Sequence, residues 1–263
     1  MQTEDNAYYL PLGNSRYRST IHAQGAWNPQ EQHMAPASGI LVRELEAFAP
    51  RPDLRMASIS FDILGLIPGG EFLVECKTLR PGKTIELVQA ELIAEGRVAV
   101  RATAWRLQKS DTAAVAGLGD IPMPELAQAL GAEQMTAWEG GYIRSLEFRA
   151  LAGLLPGRGQ VWLHTEHEMV AGEETSDLVR LIGLVDTANG VAPRIDPGEG
   201  KYVYPNTNLS IQLYREPRGQ WLGLDTSVTF GNDGIGLTSS VLNDEEGPFG
   251  RAEQILTIRA TQS

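Results

Sequence analysis

The sequence predicts an α+β protein in which one unit, a helix followed by an antiparallel sheet, occurs twice in tandem. Three observations carry this. Two helical stretches each precede four strand-like segments, the second set keeps the spacing of the first, and 42% hydrophobic residues in a chain of 263 suffice for a sizeable core.

The first helix is expected in "APASGILVRELEAF". Pro36 suits a first turn, where its missing N–H would be unpaired anyway, and Ile40, Leu41, Leu45 and Phe48 recur at helical spacing until Pro50 ends the run. "RMASISFDIL", "EFLVECKTLR", "TIELVQAELIAEG" and "RVAVRATAWRLQ" then read as strands, rich in alternating or β-branched residues. Turn signals at Pro68 to Gly70, Pro81 to Gly82 and Gly96 separate them. "SDTAAVAGLGDIPMPELAQALGAEQ" has the Ala, Gly and Pro content of a linker with at most a short helix. "GYIRSLEFRAL" and "QVWLHTEHEMV" read as strands, and "TSDLVRLIGLVDTANG" as the second helix. Thr175 or Ser176 is its N-cap, Leu178, Leu181, Ile182 and Val185 share one face, and Asn189-Gly190 is the stop. "LSIQLYR", "QWLGLDTSVTF", "GIGLTSSVLNDEEG" and "GRAEQILTIR" complete the second set. The expected division is an N-terminal unit over 1–110, a linker over 111–139 and a C-terminal unit over 140–263.

The two units superpose by a nearly constant shift. Arg101 and Arg251 are 150 apart (251 − 101), as are Leu92 and Leu242 (242 − 92), while Phe72 and Trp221 differ by 149 (221 − 72). This is the mark of a tandem duplication. If each sheet curls around its own helix, it buries the apolar stripe of that helix; if the sheets then join edge to edge, two exposed edges disappear. The result is a tandem, or double, hotdog: two long helices, each wrapped by a curved antiparallel sheet.

Composition excludes several functions. A formal charge of −11 argues against a nucleic-acid or anionic-membrane surface as main partner. The single cysteine, Cys76, excludes an internal disulfide framework and a cysteine zinc cluster, and its apolar neighbours mark it as a core residue. "MQTEDNAYYL" lacks the apolar stretch of a secretory signal and no apolar run approaches ~20 residues, so a cytoplasmic protein is expected. His164 and His167, three apart on a strand, point to opposite faces and read as exposed residues, not joint metal ligands. There is no Gly-x-Ser-x-Gly elbow, and no helix follows "GNDGIG" to make it a dinucleotide site, so no cofactor is expected.

"QHMAPASGILVRELE", "KTLRPGKTIELVQAELIAEGRVAVRATAWRL" and "YPNTNLSIQLYREPRGQWLGLDTSVTFGNDGIGLTSSVLNDEEGPFGRAEQIL" resemble the acyl-CoA thioesterase-like family, relatives of bacterial acyl-CoA thioesterase II. The resemblance spans roughly residues 20 to 260. It implies hydrolysis of an acyl-CoA or related thioester by a water that the family holds with an Asp, a Thr and a Gln. The corresponding residues here are Asn208, Thr229 and Gln254. Gln254 has an argument of its own, because the duplicated position is Ala104: a polar side chain in one copy alone assigns the site to the second half. Thr229 by itself is an ordinary strand residue. Asn208 stands where the resemblance expects Asp and can orient a water without taking its proton. Loss of a positioned base removes a factor of ~10² to 10⁴. Two readings lead, a thioester hydrolase that is slow, or a non-catalytic binder of an acyl thioester or lipid-like ligand, with a structural or assembly protein as a third class if side chains fill the pocket. Asn208→Asp is expected to raise hydrolysis if Gln254 and Thr229 are poised around the same water.

Other groups take secondary places. Asp186, one turn beyond Ile182, puts a negative charge at the unfavourable end of the second helix and is the reserve base. Asp225 would lie ~13 Å along its strand from Thr229, and Asp62 belongs to the half without a site. His33 precedes the first helix where relatives often carry His-Gly-Gly; followed here by Met34 and Ala35, it reads as a loop or capping residue. Asn206 and Thr207 are read as turn chemistry. Arg215, Arg218 and Arg251 are the cations considered for CoA phosphates, and free outer sheet edges predict a homo-oligomer.

Overall fold

The computed structural model describes residues 6–131, 138–196 and 199–261, so the first five residues and part of the expected linker lie outside the described residues. The first half comprises β1 (Ala7–Gly13), β2 (Arg16–Ser19), α1 (Met34–Ala47), β3 (Leu54–Ile63), β4 (Glu71–Arg80), β5 (Ile85–Ala94) and β6 (Arg97–Gln108). Short 3-10 turns at Ala113–Val115 and Leu126–Gln128 and the two-residue β7 (Leu130–Gly131) follow. The second half comprises α2 (Gly141–Arg144), β8 (Leu146–Ala150), β9 (Arg158–Thr165), β10 (Glu168–Val170), α3 (Asp177–Val185), α4 (Ala188–Val191), β11 (Tyr202–Val203), β12 (Asn208–Leu213), β13 (Leu222–Phe230), β14 (Ile235–Asp244), β15 (Gly247–Thr257) and β16 (Arg259–Ala260).

The eight strands that follow the two long helices lie where the alternation puts them. Four segments depart from expectation, the first being "QVWLHTEHEMV", expected as one strand and divided here into β9 and β10. Residues 7–19 form a hairpin that closes the first sheet. "GYIRSLEFRAL" opens as a helical turn because Gly141 docks on the Ile21–Ala23 turn so closely that a Cβ would sit 1.6 Å from the Ile21 carbonyl oxygen. The second helix, capped by Ser176 accepting from the Val179 N–H, stops at Val185 before the Asn189-Gly190 signal, and α4 is a separate turn.

The halves join through β3 and β12, antiparallel, with Ser60 opposite Ser210, Ser58 opposite Gln212 and Asp62 opposite Asn208. Ser60 and Ser210 are themselves 150 apart (210 − 60), so the seam pairs each copy with the other by the rule of a two-fold interface. Among the described residues a continuous sheet of 14 strands results, and β1 adds a parallel pairing to β10 of the other half.

Under the sheet, α1 and α3 run antiparallel in contact. Ser38 Oγ donates to the Ile182 carbonyl at 3.1 Å, and a Cβ on Gly39 would lie 3.2 Å from Gly183 Cα. Their outward stripes, Ile40, Leu41 and Leu45 on one helix and Leu181, Ile182 and Val185 on the other, are fully buried against the sheet. Each such side chain contributes roughly 1.5 to 3 kcal/mol. Because the helices are antiparallel, the end of α3 meets the beginning of α1.

Candidate active site

Helix ends need partners of the right sign, cations for exposed carbonyls and anions for exposed N–H groups. The C-terminal end of α1 obeys this: buried Arg106, paired with Glu86 at 3.0 Å, donates to the carbonyls of Leu45, Phe48 and Ala49. The C-terminal end of α3 does the opposite and carries Asp186, only 5% exposed. Asp186 Oδ1 accepts from Asn206 Nδ2 and from Gln254 Nε2, both at 2.7 Å. Its Oδ2 lies 3.6 Å from Nδ1 of His33, the N-cap of α1.

Burial pushes the Asp186 carboxyl up to about 6, with the Asn206 and Gln254 amides pulling the other way. Burial also presses His33 down to about 3, and its Nδ1 already accepts the Ala35 N–H at 3.0 Å. The imidazole is therefore neutral, and its contact with Asp186 is not an ion pair. One carboxylate oxygen is fixed by two amides, while the other is held by no donor of comparable quality among the described residues.

Gln254 reaches this cluster from the inner face of β15, where it is buried. The side chains of Asn208 and Thr229 do not, although the Asn208 carbonyl accepts from Asn206 Nδ2 at 3.3 Å. Asn208 Oδ1 accepts the Ile255 N–H at 2.8 Å, extending the β12–β15 ladder beyond Ser210 and Glu253 with a side chain in place of backbone. Thr229 is exposed: Thr226 and Val228 occupy the buried face of β13, and the two-residue period of a strand turns Thr229 outward. The three residues Asn208, Thr229 and Gln254 thus do not converge on one point. The carboxylate comes from Asp186 and the second amide from Asn206, which sequence reasoning had left to turn chemistry. The comparison that singled out Gln254 also finds Asn206. Its duplicate, 150 residues earlier, is Met56, whereas that of Asn208 is Ser58, polar in both copies.

Other expectations change similarly. His164 is buried, not exposed, with Nδ1 against the Gln220 carbonyl and Nε2 against Glu166, and His167 packs its ring on those of Tyr8 and His22. Among the described residues no group of three or more His, Cys, Asp or Glu is placed to hold a metal. Cys76 is half-buried against the core, and burial pushes its thiol up to about 12. Arg215 is committed to buried Asp244 and Arg251 to Asp120, and neither they nor Arg218 line the cleft at Asp186. Arg259 does, in a cavity of about 310 Å³ that runs past Trp27, Ile63 and Leu66 to His33, Asp186 and Asn206. A smaller cavity of about 40 Å³ also borders Asp186, lined besides by Trp138 and Asn189.

A buried acid held by two amides at the junction of two hotdog halves can be set beside known proteins. The family model of the acyl-CoA thioesterase C-terminal domain matches residues 122–258, and that of the N-terminal domain matches residues 23–107. The chain belongs to the acyl-CoA thioesterase family. Solved structures agree on the fold. A conserved protein of unknown function with a hot dog fold from Alicyclobacillus acidocaldarius is 12% identical with a TM-score of 0.75, each chain covered in full. The acyl-CoA thioesterase II TesB2 of Mycobacterium marinum is 16% identical with a TM-score of 0.68, over 100% of this chain and 99% of that one. A search of curated proteins finds no match. No helix among the described residues of this thioesterase-family chain is long and apolar enough to cross a membrane.

Proposed function

We propose that the protein hydrolyses acyl-CoA or related acyl thioesters with Asp186 as general base. The observation that carries this is the buried carboxylate whose Oδ1 takes two amide hydrogen bonds, leaving Oδ2 for a water at the cleft. A carboxyl raised to about 6 is largely ionised at neutral pH, yet is a stronger base than an exposed aspartate. Asp186 takes the proton as the water attacks the thioester carbon, and passes it to the departing thiolate. Asn206 and Gln254 keep the carboxylate oriented. The N-terminal end of α1, beside the acid, supplies positive potential where the carbonyl oxygen becomes an oxyanion.

The reading as a non-catalytic binder was motivated by an amide at position 208 where a carboxylate was expected. Asp186 removes that motive. The test is hydrolysis of short, medium and long acyl-CoAs by the wild type and by Asp186→Asn. Turnover lost in the variant supports the reading, and equal turnover in both overturns it.

A further inference from the structure

The inner face of the second half's sheet differs from that of the first in a regular way. Thr226 on β13, Ser240 and Thr238 on β14 and Gln254 on β15 are all buried. At the positions 150 residues earlier stand Cys76, Ala90, Val88 and Ala104. Buried polar groups are retained where something bonds them. Thr226 and Ser240 satisfy one another, hydroxyl to hydroxyl at 2.8 Å. Thr238 and Gln254 are direct cross-strand partners, each 1% exposed, yet Thr238 Oγ1 and Gln254 Oε1 make no hydrogen bond with the described residues. Side chains so paired start from Cβ atoms roughly 4.5 to 5.5 Å apart, a separation that one water spans.

We propose that Thr238 is a positioning residue for Gln254: its hydroxyl acts through one bridging water on Gln254 Oε1 and so fixes the carboxamide with Nε2 towards Asp186. The terminal torsion of a glutamine is broad and two-fold, so its amide can present either end. Nε2 towards Asp186 suits a carboxylate, which only accepts. Oε1 towards Asp186 suits the protonated acid, whose O–H can donate. A donor on Oε1 therefore favours the ionised base, and an apolar residue at 238 releases the amide to follow the proton. The other titratable groups around Asp186 are His33 at the start of α1, Tyr142 on α2, and Glu31 and Arg259 in the cleft, none of them altered by a change at 238.

This inference rests on Asp186 being the base, and its test separates the two. Thr238→Val copies Val88 of the other half and Thr238→Ser keeps the hydroxyl. The Asp186 carboxyl is titrated by 13C NMR in the ligand-free full chain, assigned with Asp186→Asn. In parallel, kcat and KM are measured against pH with butyryl-, octanoyl- and palmitoyl-CoA. The valine variant should raise the carboxyl midpoint by about half a pH unit and lower kcat about twofold near pH 6, with KM little changed and the deficit shrinking at higher pH. The serine variant should restore both. An unchanged midpoint in folded Thr238→Val, or in Thr238→Ala should the valine variant not fold, overturns the proposal. The titration does not depend on turnover, so a wild type inactive on every thioester overturns the hydrolase reading and leaves this measurement decisive.

Discussion

Asp186 Oδ2 lies 3.6 Å from His33 Nδ1, so the C-cap of α3 meets the N-cap of α1. An acid at the end of its own helix is disfavoured by that helix's dipole, and the antiparallel neighbour offsets this by bringing its N-terminus to the same place. A protonated histidine there would have driven the carboxyl down. Neutral His33 does not, and Asp186 stays near 6 because its burial outweighs its two amide donors.

Stability should record that choice. The carboxyl is raised from its ordinary 3.8 to about 6 in the folded chain, so the native state holds the proton more tightly than the unfolded one. Its stabilising contribution is full below about pH 4 and lost as pH climbs through about 6, a difference of about 3 kcal/mol. Urea unfolding of wild type and Asp186→Asn should show the variant gaining relative stability across that window and holding the gain above it. A difference that stays constant from pH 4 to pH 7 would sink the assignment of a raised carboxyl.

Hydrolysis should rise with pH through about 6, as Asp186 ionises. Asp186→Asn should lose a factor of ~10² to 10⁴ in kcat. Asn206→Ala and Gln254→Ala each remove a donor that lowers the carboxyl, so their acid limbs should move to higher pH. Pre-steady-state and steady-state rates on one acyl-CoA across pH would check all three, and a wild-type profile flat through pH 6 would exclude Asp186 as base.

The repeat, the strands after each helix and the seam were legible because burial on one face imposes a period that the sequence must keep. Ser60 and Ser210, Ala104 and Gln254 align at a single shift. Of the candidate site, Gln254 was legible where a polar residue breaks the symmetry of the copies, and Asp186 was legible only as a reserve base, from its charge at an unfavourable helix end. Asp186 sat at a helix end whose compensating neighbour, α1, is remote in sequence. Asn206 has no local feature that separates an amide closing a turn from an amide holding a carboxylate. Thr229 came from its correspondence to the family's threonine alone, and no local pattern tells which way it faces, since threonine suits either face of a strand.

Asn208→Asp should not raise hydrolysis. The Asn208 oxygen accepts the Ile255 N–H, a role that an aspartate oxygen fills equally, and the carboxylate would lie outside the Asp186 cluster. Asn208→Ala should cost about 1 kcal/mol of stability with kcat unchanged. A rate gain in the aspartate variant would return position 208 to the chemistry.

Gly39→Ala should damage the site from a distance. The added Cβ would fall 2.2 Å from Met169 Cε and 3.2 Å from Gly183 Cα. The methionine can move aside, but the backbone of α3 can yield only by separating the helices. His33 moves with α1 and Asp186 with α3, whereas Asn206 and Gln254 belong to the sheet side of the cluster. The expected loss is about 1 to 3 kcal/mol in urea unfolding, together with a fall in kcat. Adding Met169→Ala to Gly39→Ala removes the side-chain clash and leaves the backbone one. The double variant should therefore recover part of the stability and little of the rate, because the helix spacing, not the methionine, sets the distance between His33 and Asp186. Full recovery of the rate in the double variant would show that the helix crossing does not govern the site.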